Sequence, residues 1–147
     1  MITRRTAIVS LFAGLATPVF AGSPPIFSGP NGLAVNGYDV VAYFRAGTPT
    51  SGTPSFKLEW NGALWQFSSA ENRELFQNDP EAYAPQFGGY CALAASKGAL
   101  ASTVPEAWTI YEGKLYLNFS LQARRLWSQD IPGNIALAEG FWPAILG

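Results

Sequence analysis

The run Ser55-Phe56-Lys57-Leu58-Glu59-Trp60-Asn61-Gly62-Ala63-Leu64-Trp65-Gln66-Phe67 leaves this chain few ways to fold. Asn-Gly accepts positive φ at both central positions of a type I′ turn, and the flanking residues alternate with period two. The segment therefore predicts a β-hairpin with Phe56, Leu58 and Trp60 on one face. A second hairpin is predicted from Trp108-Thr109-Ile110-Tyr111, Glu112-Gly113 and Lys114-Leu115-Tyr116-Leu117-Asn118-Phe119. Short helices fill the intervals. Ser69 offers an N-cap to a helix through Arg73, Glu74, Leu75 and Phe76, which should stop near Asp79-Pro80 because proline disfavours helical geometry in the residue before it. Pro80 can open a further turn with Glu81, Ala82 and Tyr83. A helix after Cys91 ends at Gly98, a suitable C-terminal cap. Ser120 caps another, in which Ala123, Leu126, Trp127 and Ile131 recur at helical spacing and predict one buried face. A last helix is expected near residues 134–140, before Trp142-Pro143. The apolar residues Val40, Val41, Tyr43 and Phe44 suit a short helix or a strand. The class this predicts is α+β: a single domain with a small, mainly antiparallel sheet from two hairpins, punctuated by short helices.

The N-terminal end reads differently. Met1-Ile2-Thr3-Arg4-Arg5, an apolar run over residues 7–16 and Val19-Phe20-Ala21-Gly22 have the three parts of an export signal, with cleavage predicted after Ala21. The apolar run falls short of the roughly 20 residues needed to span about 30 Å of hydrocarbon, so no membrane anchor is expected after cleavage. The Arg4-Arg5 pair leaves the general secretory and twin-arginine routes both open. Residues 22–36 are rich in Ser, Pro and Gly without apolar periodicity and predict an extended or poorly ordered arm ahead of a domain over residues 37–147. With residues 1–21 removed, seven basic and ten acidic residues give a net charge of −3. That balance offers no basic surface to nucleic acid or anionic lipid.

The chemistry available is narrow. The chain has no histidine, one methionine (Met1) and one cysteine, Cys91, in Phe87-Gly88-Gly89-Tyr90-Cys91-Ala92. Imidazole acid–base catalysis and His-based metal sites are excluded by composition. A lone cysteine in an oxidising compartment is buried and inert, paired between chains, or kept for reactivity or metal. Its expected place in the first turn of a helix favours a thiolate of lowered pKa if the sulfur reaches solvent, whereas a free cysteine in a core packs like a small apolar residue. Gly88-Gly89 serves either close backbone approach to a ligand or a tight turn. Asp39 is a polar site residue or a cap at the domain entrance, and Tyr38, Tyr43, Tyr83 and Tyr90 line a pocket or fill the edge of the core. The five tryptophans read as core, and Arg124-Arg125 as a solvated face.

The sequence Trp65-Gln66-Phe67-Ser68-Ser69-Ala70-Glu71-Asn72-Arg73-Glu74-Leu75-Phe76, with Asp79-Pro80-Glu81 and Tyr83 after it, resembles the YHS domain. Asn36-Gly37-Tyr38-Asp39, Pro85, Gly88-Gly89-Tyr90-Cys91, Leu115-Tyr116-Leu117-Asn118 and Trp142-Pro143 widen the resemblance to an exported bacterial branch of that family, some of whose members carry selenocysteine at the position of Cys91. The resemblance implies a periplasmic or secreted protein. Metal-associated YHS domains carry two cysteines four residues apart on the strand and helix where this chain has Ser68 and Asn72, and the name-giving Tyr and His are here Trp65 and Gln66. Soft cations require thiolate or imidazole ligands, so the metal role of such relatives is not expected to carry over. A metal would have to involve Cys91, across a dimer or with ligands from a partner.

The resulting expectation is an exported YHS-type binding or accessory module centred on Cys91, its ligand and any cofactor unidentified, with Gly88, Gly89, Tyr90, Cys91, Tyr38 and Asp39 around a ligand pocket. The first alternative is a small thiol-redox protein in which Cys91 cycles through sulfenic acid or a mixed disulfide with an external thiol partner. The second is a structural module that contacts another envelope protein.

Overall fold

The computed structural model describes residues 22–147, and the export signal read over residues 1–21 lies outside them. The order of elements is α1 (Val40–Arg45), β1 (Thr53–Trp60), β2 (Ala63–Phe67), α2 (Ala70–Asn78), α3 (Pro80–Tyr83), α4 (Ala92–Ser96), β3 (Trp108–Tyr111), β4 (Lys114–Leu117), α5 (Leu121–Trp127) and α6 (Ile131–Phe141), with single 3-10 turns between some of them. The fold is α+β. Its two hairpins form two separate two-stranded antiparallel sheets and do not join one ladder.

Both turns put their two central residues at positive φ, which Asn61 favours and Glu112 adopts against its preference. Asn61 and Gly62 lie at φ 52° and 78°, and Glu112 and Gly113 at 50° and 77°, which sets the registers Trp60 opposite Ala63 and Tyr111 opposite Lys114. Phe56, Leu58 and Trp60 share the inward face of β1 and pack on the main core, whose large buried members include Tyr43, Trp65, Phe67, Phe76 and Leu115. Phe76, from α2, meets the rings of Trp60, Trp65 and Phe67 at centroid distances of 4.9 to 5.5 Å, so one helical residue closes the hairpin's apolar side. The second core gathers Phe87, Ala92, Ala95, Tyr116, Trp127 and Ala138 from α4, β4, α5 and α6. Trp65 and Trp127 belong to these two cores, and Trp60, Trp108 and Trp142 pack on them from the edge.

Caps account for most helix starts. The Ser69 hydroxyl accepts the Asn72 N–H, the Ser120 hydroxyl accepts that of Ala123, and Asp39 caps α1. Residues 40–45, which suit helix or strand by pattern, are helical because of that Asp39 cap. The arm over residues 22–36 is extended, but it is not loosely attached: Ile26, Ala34 and Val35 are buried. Leu33 bridges Leu64 of β2, and the Phe27 N–H bonds the Gly88 carbonyl at 2.8 Å. The core thus reaches N-terminal of Gly37. On α5, Ala123 and Trp127 face inward while Leu126 is largely exposed. Ala123 and Trp127, four residues apart, set the inward stripe and turn Leu126 off it.

Candidate functional site

Cys91 stands at the N-cap of α4, and its sulfur does the work of a capping oxygen. Sγ accepts the Phe119 N–H at 3.2 Å and the Ala94 N–H at 3.5 Å, and the thiol lies 3.4 Å from Asn118 Oδ1, to which it can donate. Asn118 Oδ1 also accepts the Leu93 N–H at 2.9 Å, so two side chains share the orphan donors of the first turn. Cys91 is 2% exposed and Asn118 is fully buried. Of the two readings open for Cys91, the structure has the buried one: the helix start is present, and the residues after β4 cover the sulfur. Asn118 Nδ2 and Trp127 Nε1 are the buried side-chain polar atoms left without a partner among the described residues.

Gly88 and Gly89 form a turn packed against the chain's own arm. They lie at φ 65° and 84°. A Cβ on Gly88 would run into the Pro25 carbonyl and approach the Trp142 ring at 3.2 Å, and one on Gly89 would stand 2.5 Å from a Val35 methyl. Close approach is thus required, and the partner is the chain's own arm. The Tyr90 hydroxyl donates to the Pro24 carbonyl at 2.8 Å, and burial raises its pKa. The six residues expected around one pocket fall into three neighbourhoods: Gly88, Gly89 and Tyr90 against the arm, Cys91 under Asn118 and Phe119, and Tyr38 with Asp39 elsewhere. Tyr38 bridges Ser51.

Asp39 is the most heavily bonded side chain of the three groups. It is fully buried. Oδ1 accepts the N–H groups of Val41 and Ala42 at 2.9 and 3.1 Å, while Oδ2 accepts the Ser68 N–H at 2.8 Å, the Ser68 hydroxyl at 2.6 Å and Asn72 Nδ2 at 2.8 Å. Asn72 Oδ1 in turn accepts Arg45 Nη1 at 2.9 Å, and Arg45 Nη2 lies 3.2 Å from Glu71. Ser68 and Asn72 are thus both bonded to Asp39. Two neutral side chains and one carboxylate bond each other there, and among the described residues no group of three His, Cys, Asp or Glu side chains converges as metal ligands would. The i, i+4 spacing of Ser68 and Asn72 was the available signal for a shared partner; that the partner is Asp39 depends on a contact across the fold.

A cleft of about 450 Å³ lies beside the Gly88 turn, with Gly88 and Pro25 in its lining. Trp60, Phe87 and Trp142 form its aromatic walls together with Pro25, Pro85 and Pro143, and Asn61, Glu81, Gln86 and Lys114 stand along it. Phe87, a bulky residue at φ 57°, holds an uncommon left-handed backbone at its edge. Sequence reading missed this cleft because its walls come from β1, the turn after α3 and the segment after α6.

Comparison with family models, with curated proteins and with solved structures finds no match to this chain.

Proposed function

We propose that this chain is an exported accessory module, of the YHS kind its motifs resemble, which acts by binding and performs no covalent chemistry. The observation that carries this reading is the state of Cys91: the chain's one strong nucleophile is 2% exposed and engaged as a helix cap by Ala94, Asn118 and Phe119. An oxidant, a thiol partner or a metal would have to displace those contacts to reach the sulfur. The binding role first expected at Cys91 therefore moves from the sulfur to the surface, and Cys91 and Asp39 become the fixtures that hold that surface in shape.

The test is accessibility. Folded protein should react with iodoacetamide only as fast as it unfolds, should form no sulfenic acid with hydrogen peroxide, and should take up no stoichiometric Zn(II) or Cu(I). Rapid labelling of the folded state, or one-to-one metal uptake abolished by Cys91→Ser, would return the chemistry to the sulfur and overturn the proposal.

A further inference from the structure

We infer that this chain pairs with a second copy of itself through α6, the two helices running antiparallel about a two-fold axis near Leu137. α6 is apolar on nearly every side. Its eleven residues hold one charge, Glu139, and bury one residue fully, Ala138, while Ala136, Leu137, Gly140 and Phe141 are exposed. A helix of that composition is ordinarily enclosed by protein. Glu139 lies two positions from both Leu137 and Phe141, roughly 200° around the helix, and so leaves their face uncharged.

The exposed apolar side chains are gathered and not scattered. Among the described residues the large ones, Phe119, Leu121, Leu126, Leu137 and Phe141, all fall within residues 119–141. Three of them edge one groove of about 300 Å³, lined by Leu93, Lys97, Leu126, Gln129, Asp130 and Asn134. Leu126 forms one bank, and Leu137 and Phe141 continue the stripe of Asn134 along α6 on the other, each one turn further on.

The charges of this groove name its occupant. Asp130 caps the N-terminus of α6 by accepting the Gly133 N–H at 3.1 Å. Lys97 stands at the other end of the helix, since a Cβ on the adjacent Gly98 would meet the Phe141 ring at 3.1 Å. Opposite charges thus mark the two ends of a helix of eleven residues, about 16 Å long. Neither forms an ion pair among the described residues, where the ion pair is Arg45 with Glu71. A two-fold axis through the middle of α6 exchanges the ends, so each Lys97 meets the partner's Asp130 and each Asp130 meets the partner's Lys97. A ligand or lipid surface of one sign would repel one of the two charges, whereas a second copy complements both. The same rotation sets Leu137, at 57% exposure the most exposed of the five, against the partner's Leu137 at the centre. Apolar contact at the centre and charge at the rim is the anatomy of a protein interface.

Sedimentation velocity of the protein over residues 22–147 tests this. The parent should be a dimer at about 100 µM. Leu137→Asp changes an exposed position that the monomer does not need, and should weaken the dimer about thirtyfold or more. Lys97→Glu and Asp130→Lys should each weaken it about tenfold. Their equimolar mixture should recover the dimer, because each opposed pair then has one charge of either sign. Asp130→Lys also removes a helix cap, so circular dichroism first checks its fold; where it does not fold, Lys97→Glu, which breaks no hydrogen bond, carries the charge test alone. A parent that is monomeric at that concentration, a dimer unmoved by Leu137→Asp or Lys97→Glu, or a mixture no more dimeric than its folded components would overturn the inference. Cys91 is buried within each copy, so these outcomes are independent of its labelling.

Discussion

The carboxylate of Asp39 accepts both the backbone N–H and the hydroxyl of Ser68, at 2.8 and 2.6 Å, tying the start of α1 to the end of β2 through one oxygen. With Asn72 on the same oxygen and Val41 and Ala42 on the other, five donors converge on one buried acid. A buried charge is tolerated when hydrogen bonds replace its hydration, and this one also orients three elements.

Asp39→Asn should be among the most destabilising conservative changes in the chain. An amide offers a single acceptor oxygen and turns its own N–H groups towards donors, so a loss of about 3 kcal/mol or more is expected. Ser68→Ala, which removes one of the five donors, should cost about 1 kcal/mol. Urea denaturation midpoints measure both, and an Asp39→Asn protein as stable as the parent would show that the cluster holds nothing together.

The two glycine turns should respond unequally to the same substitution. Gly62 lies at φ 78° with open space around the added Cβ, so Gly62→Ala should cost about 1 kcal/mol from backbone strain alone. Gly88→Ala adds a collision with the Pro25 carbonyl and should cost roughly 2 kcal/mol more. Equal thermal midpoints for the two variants would contradict the packing of the arm against the Gly88 turn.

Stability should fall at alkaline pH. Burial raises the tyrosine hydroxyls of Tyr43, Tyr90 and Tyr116 above the ordinary 10.0, with Glu106 and Tyr38 adding to the effect at Tyr43. As the pH passes about 10 the unfolded chain releases these protons while the folded chain retains them, so the contribution present below that pH is progressively lost above it. Denaturation midpoints from pH 8 to 11 should decline, and Tyr43→Phe should flatten the decline; a constant midpoint would refute this.

Export with cleavage after Ala21 predicts that protein from the cell envelope begins at Gly22 by intact mass. A full-length product in the cytoplasm would remove the signal reading.

Local rules made much of this fold legible. Asn61-Gly62 reveals its hairpin because few other residue pairs accept two positive φ angles, the second hairpin is marked by the apolar strands flanking Glu112-Gly113, and Ser69 and Ser120 mark helices by the donors they cap. Relations between distant segments were not legible. Whether Val40–Arg45 is helix or strand depended on which side chain capped it, and the burial of Cys91 depended on Asn118 and Phe119 arriving from another hairpin. Residues 22–36 lack periodicity because they insert single residues, Ile26, Ala34 and Val35, into the main core without forming a helix or strand face. Leu126 matched the helical period and is exposed nonetheless, since Ala123 and Trp127 had already set the inward stripe.

The arm described above has a consequence for synthesis. The Ser23 N–H bonds the Leu146 carbonyl at 2.6 Å, and Gly88 closes over Pro25, so the first residues of the folded chain find partners that are made late or last. A growing chain can form the Asn61-Gly62 hairpin early, because that pairing is local, but the second core waits for Trp127 and Ala138 and the arm's outer end waits for Leu146. Long-range closure of this kind slows folding. A ribosome-bound chain halted before Trp127 should therefore lack the second core and stay open to proteases there.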